Sequence, residues 1–161
     1  MANMPKINLE SLTGCSLFRD MEPGEIAILS AIFNERTMTE GTTVFLENMA
    51  GESLYLVKQG TVQISKMIAE GEEKTLVILG PEDVFGEMAV LESAPRSATA
   101  RVAEDAQLLG IKRTDFDALC ENHPKLGLKL MRNIIRIFSQ RIRENNDEYR
   151  KMILWASEKN T

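Results

Sequence analysis

Residues 85–100 read FGEMAVLESAPRSATA, and two ionisable side chains in this stretch stand where binding chemistry is possible. Arg96 lies among small residues (Ala94, Ser97, Ala98, Thr99, Ala100), so it is not simply a solvated cation. A guanidinium fork matches phosphate oxygens bidentately, and small neighbours let backbone amides approach the same anion. Glu87 precedes Arg96 by nine residues and follows Gly86, which permits a close backbone approach or a positive φ. A carboxylate does not serve a phosphate, but it accepts a hydrogen bond from a sugar hydroxyl. Met88 to Leu91 can make one helical turn, whose first N–H groups add a favourable dipole for an anion. A positive group for phosphate beside a negative one for ribose describes a nucleotide site. The alternative is that Arg96 and Glu87 pair with each other and hold no ligand.

Other chemistries find little support. The single histidine, His123, sits in Glu-Asn-His-Pro, where a surface position near a helix start accounts for it. One imidazole per chain excludes zinc, non-haem iron or copper sites built from several histidines. Cys15 and Cys120 show no metal or disulfide spacing, which favours a reducing compartment. We expect no metal, no cofactor and no catalysis. Nineteen basic against 24 acidic residues give a charge of -5, so no basic face for autonomous DNA binding is implied. Neither a signal peptide nor an apolar run of ~20 residues is apparent, so a cytoplasmic protein without membrane association is expected.

The elements that must position these residues follow from the pattern. At 161 residues the chain suits one ordinary domain. Residues 1–15 are polar and weakly patterned and read as an N-terminal arm. Ile26, Leu29, Ile32 and Phe33 recur at helical spacing behind Pro23, predicting a helix over 22–33. Turn-like pairs then recur at Glu40-Gly41, Ala50-Gly51, Gln59-Gly60, Glu70-Gly71 and Gly80-Pro81. Between and after them lie β-rich runs at 42–46, 53–58, 61–68, 75–79, 97–102 and 107–112. Short strands at this spacing indicate a sandwich or barrel. The chain turns helical again at Thr114, with Phe116, Leu119 and Cys120 facing inward, and a long helix is predicted over 125–157.

That helix carries two patterns. Leu126, Leu130, Ile134 and Ile137 form a stripe suited to packing on the barrel. Leu128, Met131, Ile135, Phe138, Ile142, Asn145, Tyr149, Met152 and Ala156 form a heptad seam, apolar except at Asn145. A single polar seam residue is a known device for setting coiled-coil register, so a homodimer through this helix is expected. The alternative is an amphipathic helix lying on its own domain.

The segment Phe85, Gly86, Glu87, Met88, Ala89 … Pro95, Arg96, Ser97, Ala98, Thr99 closely resembles the phosphate-binding cassette of the cyclic nucleotide-binding domain family. The stretch EGTTVFLENMAGESLYLVKQGTVQIS is similar to the family's first strands, with Gly41, Phe45, Glu47, Gly51, Ser53, Leu54, Tyr55 and Gly60 in place. Asn48 departs from the glycine of many members, but asparagine tolerates the left-handed conformation. The likeness covers about residues 16 to 146.

The resemblance implies a mainly β fold with flanking helices: an eight-stranded jelly roll, an N-terminal helix and a long C-terminal helix. Its divisions are the arm (1–15), the nucleotide-binding domain (16–124) and the C-terminal lid and dimerisation helix (125–161). Arg96 is expected on the exocyclic phosphate oxygens, and Glu87 on the ribose 2′-hydroxyl with the carbonyl of Gly86. Amides of Ala98 and near Met88 and Ala89 donate to phosphate. Ser97 either contacts phosphate or base or merely fits. Over the purine, Arg141, Asn145 and Asn146 could read base edges while Tyr149 or Trp155 stacks; the alternative for each is a solvated or seam residue. The expected role is a stand-alone sensor, preferring cAMP to cGMP, that acts on an unknown effector protein. Two alternatives are a transcription regulator without its own helix-turn-helix and an interaction scaffold with an altered pocket.

Overall fold

The computed structural model describes residues 7–160. Helix α1 (Pro23–Ile32) starts on a proline, whose missing N–H costs nothing at a first turn, and the Glu22 amide donates to Glu25 Oε1 at 3.0 Å. Phe33 leads into β1 (Asn34–Met38), followed by β2 (Thr43–Phe45), β3 (Ser53–Ala69), β4 (Glu72–Leu79) and β5 (Val84–Phe85). Helix α2 (Met88–Leu91) is a single turn; β6 (Thr99–Lys112), α3 (Arg113–Asn122) and α4 (Pro124–Lys159) complete the order. All strand pairs are antiparallel, in the path β1-β6-β3-β4, with β2 on β6 and β5 on β3.

Among the described residues six strands thus replace the six β-rich runs read from the sequence, but they are not the same six. β3 fuses the runs at 53–58 and 61–68, and β6 fuses those at 97–102 and 107–112. Gln59-Gly60 is therefore not a reversal. Gly60 has φ +82°, and a Cβ there would stand 2.2 Å from the carbonyl oxygen of Asp105 on β6. Register shifts between Val57, Gln59, Thr61 and Val62 mark bulges that bend the β3–β6 ribbon. Counting each bent strand as two segments restores the eight of the jelly roll. β1, reading NERTM, is an exposed, mostly polar strand with no apolar alternation to announce it.

Two apolar clusters fill the interior. Tyr55, Val57, Val62, Phe85, Val102 and Leu108 pack inside the sheet. At its end, Leu54, Leu56, Leu109 and Ile111 meet Leu29 of α1, Leu119 of α3 and Leu126, Leu130 and Ile134 of α4. Ile137, the last of the expected stripe, is only partly buried against them. Leu9, Leu12 and Cys15 are buried in the same cluster, so the described part of the arm is integral to the core; residues 1–6 lie outside the described residues. The first three turns of α4 are core as well, with Leu126, Leu130 and Ile134 buried. Asn133 secures them: its buried amide donates to the carbonyls of Leu17 and Arg19, at 2.9 Å each. Among the described residues no helix is long and apolar enough to cross a membrane.

Candidate functional site

Arg96 is seated by its backbone first. The Arg96 amide donates to Met49 O at 2.9 Å, and the Asn48 amide donates to Arg96 O at 2.8 Å. Asn48 takes φ +67°, the left-handed conformation expected of it, and closes the loop that holds the cassette. Ala50 and Pro95 form a β-bridge beside these bonds.

The side chain then enters a fitted slot. Its Nη1 donates to Gly86 O at 3.2 Å and its Nη2 to Ser53 O at 2.9 Å. The guanidinium lies 3.9 Å above the Phe45 ring, which belongs to an aromatic floor with Tyr55 and Phe85. Two glycines make the room. A Cβ on Gly51 would lie 2.6 Å from Arg96 Nε, and one on Gly86, where φ is +74°, would lie 2.7 Å from Nη1. The residue is only 7% exposed, and its Nε has no hydrogen-bond partner among the described residues. Desolvation, opposed by the neighbouring Tyr55 and Glu87, pushes the guanidinium below its ordinary pKa.

Glu87 stands at the N-cap position of the one-turn helix α2, makes no capping hydrogen bond with its side chain, and is buried. It does not pair with Arg96. Its Oε1 accepts from Nη1 of Arg141 at 3.3 Å, and Nη2 of Arg141 donates to the carbonyl of Val84. The C-terminal helix is thereby tied to the carboxylate predicted to serve a sugar.

These residues open onto a cavity of about 420 Å³. The cassette contributes Gly86, Glu87, Met88, Ala89, Arg96, Ser97 and Ala98, all seven of the expected binding residues, and α4 contributes Phe138, Arg141, Ile142 and Asn145. Tyr149 does not line the cavity: it stands one helical turn beyond Asn145 and is 67% exposed. Asn146 faces solvent, and Trp155, farther along, carries the Lys159 ammonium 3.9 Å from its ring centre.

Sequence reasoning missed the far wall, which is Ile64 and Lys66 of β3 with Leu76, Val77 and Leu79 of β4. The alternation Val62, Ile64, Lys66 was a signal that these share a face. Leu76 gave none. It is the extra residue of a bulge, since Ile64 pairs with Val77 and Ser65 with Thr75, and the bulge turns it onto the cavity.

An antiparallel jelly roll enclosing a buried, incompletely bonded arginine and a carboxylate defines a class: a β-roll ligand-binding domain for an anion carrying hydroxyls. The family profile described as "Cyclic nucleotide-binding domain" matches residues 35–123, more than half of the chain. The chain belongs to that family. It is 34% identical over 133 residues to the cyclic AMP receptor protein of Thermus thermophilus, covering 83% of this chain and 60% of that protein. The crystal structure of the Thermus thermophilus catabolite activator protein superposes with a TM-score of 0.74 at 33% identity, over 85% of this chain and 62% of the other. The regulatory domain of Toxoplasma gondii PKA with cAMP gives 0.60 at 32% identity, over 66% and 41%. The chain thus spans about three-fifths of the length of the Thermus proteins it matches.

Proposed function

We propose that the chain binds a cyclic nucleotide in this cavity, cAMP in preference to cGMP, and works as a regulatory module rather than an enzyme. One observation carries the reading: Arg96 is buried with its charge only partly satisfied. A guanidinium has five N–H donors, and the structure uses two. A desolvated cation with an unbonded Nε is costly unless an anion completes it. A singly charged cyclic phosphate is the right size and sign, and small neighbours leave room for it. Glu87, fixed nearby, accepts the ribose 2′-hydroxyl. The cAMP in the name of the Thermus relative and in the Toxoplasma structure supports the choice of base.

Occupancy reaches α4 through Arg141. That side chain shares Glu87 with the ribose, so a ligand alters the grip of the helix on the cassette, and the helix geometry shifts with it. The readout is a changed dimer or partner surface. Along α4, Leu128, Ile135, Phe138, Ile142, Tyr149 and Met152 are exposed large apolar side chains on the heptad seam, which supports a homodimer through this helix.

Calorimetric titration of nucleotide-stripped protein with cAMP and then cGMP tests the proposal. Micromolar or tighter binding at one site per chain, stronger for cAMP, is expected. No heat from either nucleotide would move the assignment to an interaction scaffold.

A further inference from the structure

The phosphate and ribose roles account for only part of the cavity lining. Arg96, Ser97 and Glu87 belong to that part, and Arg141 is spent on Glu87 and Val84. Ile64, Leu76, Phe138 and Ile142 supply apolar wall suited to a planar ring. Two polar side chains of the lining have no role yet, Lys66 on β3 and Asn145 on α4.

Resting on the nucleotide reading above, we propose that Lys66 reads the base and gives the site a foothold for a 6-oxopurine. Lys66 shares a sheet face with Ile64, two residues earlier, so its stem runs along the cavity wall. Its ammonium forms one long ion pair, with Glu47 Oε1 at 4.0 Å, beyond hydrogen-bond length, and the other Glu47 oxygen accepts the Met67 amide at 3.1 Å, so a ligand would have to draw the ammonium from this pair. The side chain is half exposed, on a flexible four-carbon stem that can swing toward a ligand.

The chemistry of the two purines then differs. Lysine offers three donors and no acceptor. Guanine presents N7 and O6 as adjacent acceptors, whereas adenine presents an acceptor beside a donating amino group. An ammonium reaching this edge gains with guanine and gains less with adenine. Lys66 therefore narrows the preference for cAMP, and the site holds both nucleotides within about tenfold of each other.

The test is calorimetric titration of the full chain with cAMP, cGMP and cyclic inosine monophosphate, which has the 6-oxo group without the 2-amino group. For Lys66→Ala, cGMP and the inosine nucleotide should each weaken about tenfold, equivalent to about 1.4 kcal/mol, and cAMP less than threefold. Lys66→Arg should restore both. Equal losses for all three ligands would reduce Lys66 to a general attraction for anions and overturn the proposal. So would loss of cGMP binding with the inosine nucleotide unchanged, or a wild-type protein that binds cAMP and no cGMP. Wild-type protein that binds none of the three would instead overturn the nucleotide reading itself, and Lys66 with it.

Discussion

Arg96→Ala separates binding from folding. In the unliganded protein the guanidinium forms two hydrogen bonds, to Gly86 O and Ser53 O, while its buried Nε has none and its desolvation is unfavourable. Removing it forfeits those two bonds and the contact with Phe45, but it also removes a costly buried charge. Of the two released carbonyls, that of Gly86 belongs to the cavity lining, and removal of the guanidinium opens space through which water can reach that of Ser53. The opposing terms leave the unliganded stability within about 1–2 kcal/mol of wild type. Binding has no such compensation. Loss of one partner of a desolvated, hydrogen-bonded charge pair costs about 2–5 kcal/mol, or roughly 30-fold to several thousand-fold in affinity. Arg96→Lys should also bind poorly, because an ammonium cannot keep both carbonyls and grip a phosphate with a fork. The assay is titration calorimetry with cAMP alongside thermal unfolding of each unliganded variant. An affinity loss under threefold in a folded Arg96→Ala protein would refute the phosphate role. A variant that no longer folds would show that the arginine is structural, contrary to this balance.

Three other outcomes follow from the geometry. Gly51→Ala places a Cβ about 2.6 Å from Arg96 Nε and must displace the guanidinium; cAMP affinity should fall at least about tenfold although the residue touches no ligand, and unchanged calorimetry would show that the slot is loose. Glu87→Ala should weaken cAMP more than 2′-deoxy-cAMP, and equal losses would remove its ribose role. Glu25 accepts from Lys129 of α4 at 2.7 Å and from the Glu22 amide, and these bonds, the lysine first, hold its pKa below the ordinary 4.5. A carboxylate with a depressed folded pKa contributes fully above its unfolded value and loses that contribution as pH falls through the folded one. The stability lost by Glu25→Gln should thus be small, salt-sensitive and constant near neutrality, shrinking only below about pH 4.5 in denaturant titrations; a gap unchanged by acid would contradict the pairing.

The cassette was legible from the sequence because its chemistry is local. Gly86, Glu87 and the Pro95–Ala98 run carry their meaning in type and spacing, and they lie within a dozen or so residues of one another in the chain. The α1 and α4 helices were legible for a similar reason, since 3.6-residue periodicity and a first-turn proline act over short range. Gly60 was visible as a backbone special, but a positive φ serves a hairpin or a bulge equally well. Only the approach of β6, with Asp105 O in the space a side chain would fill, made it a bend within a single strand. β1 could not be seen at all, because a polar exposed strand owes its existence to its partner β6 rather than to its own composition.

What the sequence determined by itself is the cyclic nucleotide cassette, the β-rich middle and the two-faced helix after it. The tertiary structure decided what those residues touch. It gave Glu87 to Arg141 instead of Arg96, left Tyr149 outside the cavity, and built the far wall from Ile64, Lys66 and a bulged Leu76. It also drew Leu9 and Leu12 of the supposed arm into the core. Each of these depends on contacts between segments far apart in the chain, where side-chain reach, strand register and helix docking decide the outcome and local residue pattern does not.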